Sequence, residues 1–203
     1  MARKAEVQPQ IIGAAMALAA EKGWRETTLA EIAKRANVSL ADVFRSVGGK
    51  QGILEALSRH ADAQVLAGGA PDMEERPRDR LFDVLMRRFD ALAPYKLGLM
   101  AVADVTPRDP FAAICTVRQL RRSMGWMLEA AGLTSDGLEG AVKSRVLAGI
   151  WLSLLRTWFQ DDSEDLARTM AALDARLRRA EEAWNSLPGR RRRPSARADE
   201  VHA

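Results

Sequence analysis

The amino-acid sequence predicts an all-α protein. Ala, Leu, Arg and Glu dominate, clusters of Val, Ile, Thr and Tyr are scarce, and apolar residues recur at helical spacing along almost all of the 203 residues. A first helix is expected over residues 8–22, QPQIIGAAMALAAEK, which places Ile11, Ile12, Ala15, Met16 and Ala19 on one face. Gly23 ends it, because a helix C-terminus favours a residue that tolerates left-handed backbone. Two short helices follow at 28–36 and 40–46. Thr28-Leu29-Ala30-Glu31 and Ser39-Leu40-Ala41-Asp42 both have the hydroxyl-x-x-acid pattern, in which the hydroxyl caps free amides and the acid reaches back to the cap's own N–H. A fourth helix is expected from Lys50 to about Leu66. The stretch 67–77, AGGAPDMEERP, mixes Gly, Pro and acidic residues and reads as a linker. Further helices are expected at about 78–92, 94–104, 110–131, 135–160 and 163–187. Residues 188–203, which include GRRRRPSAR, are expected to be a disordered basic tail that buries too little to offset chain entropy.

A hydrophobic content of 47% supplies an ordinary core, and Lys plus Arg exceed Asp plus Glu by only four, much of it in the tail. The single cysteine, Cys115, excludes an internal disulfide framework and fits a reducing compartment. The opening MARKAEVQPQ lacks the apolar core of a secretory signal, and no run approaches the roughly 18 apolar residues of a membrane span. A cytoplasmic setting is expected, with peripheral contact at the inner membrane surface as a second one. Catalysis is not expected. His60 and His202 are far apart, Cys115 has no cysteine partner, and Gly48-Gly49-Lys50 lacks phosphate-loop spacing. The acidic run Asp161, Asp162, Glu164 and Asp165 suits a helix start capped by Ser163 better than a cation site. No catalytic residue, metal ligand or cofactor is assigned.

The two capped helices form a helix-turn-helix. Ala33 permits a close crossing, Asn37 tolerates the left-handed turn, and Val38 and Val43 fill the space between the helices. The run TTLAEIAKRANVSLADVFRSVGGKQGILEAL resembles the N-terminal DNA-binding module of TetR-family regulators. That resemblance, over residues 8 to about 57, implies a TetR-like fold: a three-helix helix-turn-helix module with a linking helix at 1–66, a linker at 67–77, and a helical ligand-binding and dimerisation domain at 78–187. The implied partners are a double-stranded DNA operator and a second copy of the chain. Thr28, Lys34, Ser39, Leu40, Ala41, Phe44, Arg45 and Lys50 are the candidate DNA-binding residues. Lys50 matches the family position that approaches phosphate. Phe44, Ser46 and Val47 stand where the family pattern has tyrosine, tyrosine or histidine, and phenylalanine. Arg45 is the one side chain on the second helix able to make a bidentate contact to guanine, worth about 1–3 kcal/mol of discrimination. Arg3 and Lys4 are placed to add to the backbone contacts.

In the C-terminal part, RVLAGIWLSLLRTWF at 145–159 is apolar nearly all round and is expected to be central, with neighbours on most sides. Core packing and a pocket for an apolar small molecule both suit it. Met100, Phe111, Met124, Trp126, Met127, Trp151, Leu154 and Trp158 are the candidate lining. The last helix carries Leu166, Met170, Leu173, Leu177, Ala180, Trp184 and Leu187 in steps of four and three, with charge elsewhere. That stripe suits packing within the domain, pairing with a partner helix, or membrane contact through Leu166–Leu187 and the basic tail. The run RVLAGIWLSLLRTWFQDDSEDLARTMAALDARL is also similar to the lipid-binding accessory protein family of coenzyme Q biosynthesis. That likeness implies an alternative: a TetR-like fold that has given up DNA and holds an isoprenoid lipid for ubiquinone biosynthesis.

Overall fold

The helical periodicity is realised as nine α-helices among the described residues: α1 (Ala2–Lys22), α2 (Leu29–Arg35), α3 (Leu40–Val47), α4 (Lys50–Ala67), α5 (Pro77–Leu92), α6 (Lys96–Val105), α7 (Pro110–Ala130), α8 (Gly137–Phe159) and α9 (Ala167–Asn185). A single 3₁₀ turn, Ala93–Tyr95, joins α5 to α6. The computed structural model describes residues 2–105 and 110–186, with side chains described for 7–105 and 117–186. Leu187, His202 and the basic tail therefore lie outside the described residues, as do the side chains of Arg3, Lys4, Phe111 and Cys115.

Two helix starts differ from expectation. α1 begins at Ala2 rather than residue 8, and carries Pro9 inside it. Proline has no N–H for the carbonyl four residues earlier, which made residue 8 a natural boundary, but the good helix formers upstream extend the helix past that defect. α9 begins at Ala167, not at Ser163. The reason is Asp161, only 1% exposed. Its Oδ2 accepts hydrogen bonds from the Thr169 N–H and hydroxyl, both 2.7 Å, and its Oδ1 accepts from the Ser163 N–H and hydroxyl. The Asp161 carbonyl also accepts from the Lys96 ammonium at 2.7 Å, which ties α6 to the α8–α9 connection. Leu166, with φ 54° and ψ 36°, then turns the chain into α9, and Ser163 Oγ accepts the Ala167 N–H at 3.0 Å.

Burial pushes the Asp161 carboxyl up, but the hydrogen bonds from Ser163 and Thr169 outweigh it and hold the pKa at about 2. A carboxyl lowered on folding contributes stability that is present above its unfolded value of about 4 and is lost as the pH falls towards 2. Asp161→Asn is therefore expected to lower the unfolding midpoint at pH 7, with the difference from the parent protein closing between pH 4 and pH 2 in thermal melts.

The stretch expected as a linker, 67–77, connects α4 to α5 without parting the helices on either side. One core cluster runs from Ile11, Ile12 and Met16 on α1 through Leu57 and Val65 on α4 to Leu85 and Phe89 on α5, Met124 and Met127 on α7, and Trp151, Leu154 and Trp158 on α8. Phe89 stacks on Trp151 with centroids 4.2 Å apart and lies 5.4 Å from the Trp158 ring. Where α6 crosses α1, Gly98 is required: a Cβ there would stand 2.5 Å from the Met16 carbonyl oxygen and 2.8 Å from its Cα. α9 packs on α5 and α8 through buried Thr169, Leu173 and Leu177, and Leu166, Met170, Ala180 and Trp184 are half-buried. Its described apolar stripe thus covers its own domain.

A charged group also sits inside the core. Arg88 on α5 is 3% exposed, and its Nε donates to Asp62 Oδ1 on α4 at 3.2 Å. Its Nη2 donates to Ser123 Oγ at 3.0 Å and to Ser58 Oγ at 3.3 Å, and Ser123 donates to Asp62 at 2.6 Å. The guanidinium lies 4.5 Å above the Trp151 ring. Four helices, α4, α5, α7 and α8, meet at this one cation.

α8 is not enclosed as expected. Leu147, Ala148, Trp151, Leu154 and Trp158 are buried, but Leu138 (83%), Val142, Val146 and Leu152 are exposed, and nothing approaches within 4 Å of a Cβ built at Gly149. At helical spacing these outward residues share one face, broken only by Arg145, Ser153 and Arg156.

Candidate nucleic-acid interface

Both expected capping boxes are formed. Thr28 Oγ1 accepts the Glu31 N–H at 3.3 Å, and Glu31 Oε2 accepts the Thr28 N–H at 2.9 Å. Ser39 Oγ accepts the Asp42 N–H at 3.1 Å, and Asp42 Oδ2 accepts the Ser39 N–H at 3.3 Å. Between α2 and α3, Asn37 is left-handed at φ 53°, as the sharp turn requires. Val43 is fully buried, Ala33 is 4% exposed and Val38 is half-buried, so the two helices are wedged as the sequence implies. Gly48 closes α3 in the left-handed region at φ 73°.

These contacts orient α3 so that Leu40, Ala41, Phe44 and Arg45 face outward, with Leu40 53% and Phe44 73% exposed. Thr28, Lys34 and Ser39 are exposed as well, so seven of the eight candidate residues are open to solvent. Lys34, Ser39 and Asp42 also line an open recess of about 390 Å³ with Val7, Ala33, Asn37 and Val38.

Much of the local charge is matched. The Lys22 ammonium pairs with Glu31 and, followed by the Thr28 hydroxyl and amide, holds that carboxyl at about 2. Arg35 grips Glu21 through two bonds of 2.6 Å. Arg45 donates to Asp42 Oδ1 at 2.6 Å, and the Ser39 hydroxyl followed by Arg45 lowers the Asp42 pKa. Arg25 and Lys34 are exposed cations with no ion pair among the described residues.

Lys50 departs from the expected phosphate contact. Its ammonium donates to the carbonyls of Trp24, Thr27 at 2.9 Å and Arg25 at 3.4 Å, and it lies 4.6 Å from the Trp24 ring centroid. Burial lowers its pKa. In this position Lys50 ties the start of α4 to the loop that leads into α2, a role that Trp24 shares and that nothing in the sequence around either residue announces.

Ser46 leaves a small defect under α3. It is buried with a hydroxyl that has no hydrogen-bond partner among the described residues, although its carbonyl accepts from Gln8 Nε2 at 3.2 Å. An unsatisfied buried hydroxyl is unfavourable, so Ser46→Ala is expected to stabilise the protein by about 1 kcal/mol, seen as a higher urea midpoint with unchanged slope.

The second set of candidate residues is not brought together on an open surface. Met124, Met127, Trp151, Leu154 and Trp158 are packed in the core, Met100 is half-buried and Trp126 is 50% exposed. Trp158 Nε1 is buried without a hydrogen-bond partner among the described residues. Among the described residues no helix is long and apolar enough to cross a membrane.

Residues 11–57 match the family described as bacterial regulatory proteins, tetR family. Similar proteins include the uncharacterized HTH-type transcriptional regulator YvkB of Bacillus subtilis, 53% identical over 53 residues, which cover 26% of this chain and 28% of that one. The HTH-type transcriptional regulator BetI of Burkholderia mallei is 37% identical over 119 residues, covering 56% and 58%. The chain thus spans between about a quarter and three fifths of the length of these relatives. A crystal structure of a TetR transcriptional regulator from Nitrosomonas europaea superposes with a TM-score of 0.68 at 25% identity, covering 87% of this chain and 98% of that one. All three matched proteins are regulators, so the lipid-carrier alternative drawn from α8 and α9 is not favoured.

Proposed function

We propose that this chain, whose residues 11–57 match the tetR family of bacterial regulatory proteins and whose fold superposes on a TetR regulator, is a repressor of transcription: a homodimer that seats α3 in the DNA major groove and is released by an apolar effector. The observation that carries this reading is the outward-facing α3, started by its own capping box at Ser39, set against a capped α2 and anchored by a buried Val43, while Leu40 and Phe44 on its far side stay exposed. On this reading residues 1–66 act as the DNA-binding module and residues 78–187 as the effector and dimerisation domain. The exposed apolar face of α8, on a helix whose composition calls for neighbours on most sides, supports a second copy as its cover. Buried Trp158 Nε1, with no acceptor, supports an effector that presents one. Because Met124, Trp151 and Leu154 pack shut, an effector enters only by parting them, which links its binding to a change in shape.

The test is a gel shift on random duplex DNA across salt concentrations. Arg25 and Lys34 are the cations of the described helix-turn-helix that have no ion pair among the described residues, and a dimer that seats all four on phosphates gives a slope of about −3.6 in log K against log[salt]. Absence of duplex binding at low salt sinks the reading. The other members of the interface are expected to position rather than attract, so Lys50→Met should weaken binding through loss of the loop geometry while leaving that slope unchanged.

A further inference from the structure

We infer that α3 distinguishes operator sequences mainly by apolar contact with thymine methyl groups, made by Leu40 and Phe44. The inference rests on the DNA-binding function proposed above and names what that surface recognises. From Ser39 to Val47, every hydrogen-bonding side chain already has a partner in the fold, or is buried. The Ser39 hydroxyl accepts the Asp42 N–H and donates to the Asp42 carboxylate at 2.5 Å. The same carboxylate holds the Arg45 guanidinium at 2.6 Å, and Ser46 is buried. The outward groups with no such engagement are Leu40, Ala41 and Phe44, all apolar.

Leu40 and Phe44 lie four residues apart, one turn along the same face, so they form a ridge rather than two scattered surface residues. More than half of each is in water. The major groove offers one apolar feature, the C5 methyl of thymine, which marks both the identity and the strand of an A·T pair. The caps at Thr28 and Ser39, the Val43 wedge and the Gly48 closure already fix the ridge, so little side-chain or helix ordering remains to oppose binding. The neighbouring unpaired cations Arg25 and Lys34 suit a polyanion rather than an apolar protein partner.

The full-length chain is used to enrich binding sites from a pool of random duplexes, and each thymine of the enriched half-site is then replaced by deoxyuridine, which removes only the methyl. Affinity is expected to fall about fourfold for each contacted thymine, which is the contribution of burying one methyl group. Leu40→Ala and Phe44→Ala remove groups that the fold does not bury, so both variants should fold normally. Phe44→Ala is expected to bind the thymine site about tenfold more weakly, and at least one of the two variants should no longer tell thymine from uracil. Enriched sites without thymine, uracil sites bound as tightly as thymine sites, or variants as sensitive to uracil as the parent would each overturn the inference. Variants that bind DNA like the parent would overturn it too, and would point to a protein partner for the ridge. A chain that binds no duplex even at low salt overturns the DNA-binding function itself, and is told apart from these results by the missing background shift.

Discussion

Gly52→Ala is expected to abolish DNA binding and to destabilise the protein by about 3 kcal/mol. The added carbon would stand 1.7 Å from the carbonyl oxygen of Val47 and 2.8 Å from its carbonyl carbon. Both atoms are backbone at the last residue of α3, so no rotamer change relieves the clash. Relief requires tilting α3 against α4, which breaks the Gly48 closure and moves Leu40 and Phe44 together. Gly49 supplies the control. It lies three residues earlier, in extended backbone that other residues adopt, with nothing within 4 Å of an added Cβ. Gly49→Ala should therefore keep both the urea midpoint and the gel shift, and a Gly52→Ala protein that did the same would contradict the close α3–α4 approach.

Asp62→Ala comes next, with an expected loss of about 3–5 kcal/mol, because it strands the Arg88 guanidinium in the core. Burial pushes the Arg88 pKa down and Asp62 opposes it, yet an arginine that has lost its carboxylate still has no practical route to neutrality. The remaining acceptors, Ser58 and Ser123, are hydroxyls that satisfy single N–H groups without balancing the charge. Removing both ions tests the cause. Asp62→Leu combined with Arg88→Met should recover most of the loss, since an apolar pair of similar volume neither needs solvation nor leaves a charge behind. A double-mutant cycle followed by urea unfolding measures the coupling, and additive losses would mean that the two side chains stabilise the core independently.

What was legible in the sequence was local. The capping boxes at Thr28 and Ser39, the left-handed Asn37 and the wedge residues Ala33 and Val43 depend on neighbours within a few positions, and each takes its expected place. The all-α class followed from apolar spacing, which is likewise a short-range signal. Contacts between distant segments were not legible. Asp161 reads in the sequence as part of an acidic run at a helix start capped by Ser163, yet it is the buried acceptor for Thr169, because burial depends on where α9 docks. Lys50 looked like a surface cation, but the carbonyls that hold it lie 23 to 26 residues earlier. Arg88 and Asp62 are 26 residues apart on separate helices, and no spacing rule pairs them. The apolar circumference of α8 implies enclosure, whereas the described residues leave Leu138, Val142, Val146 and Leu152 exposed.

The crossing of α1 and α6 sets how movement passes between the two ends of the molecule. At Gly98 the helices meet almost backbone to backbone, with no side chain long enough to flex and take up a displacement. Side chains cushion most helix contacts. This one has none, so a shift of α6 is expected to reach the Met16 backbone without a side chain to absorb it, and to tilt α1 together with the α2 and α3 packed on it.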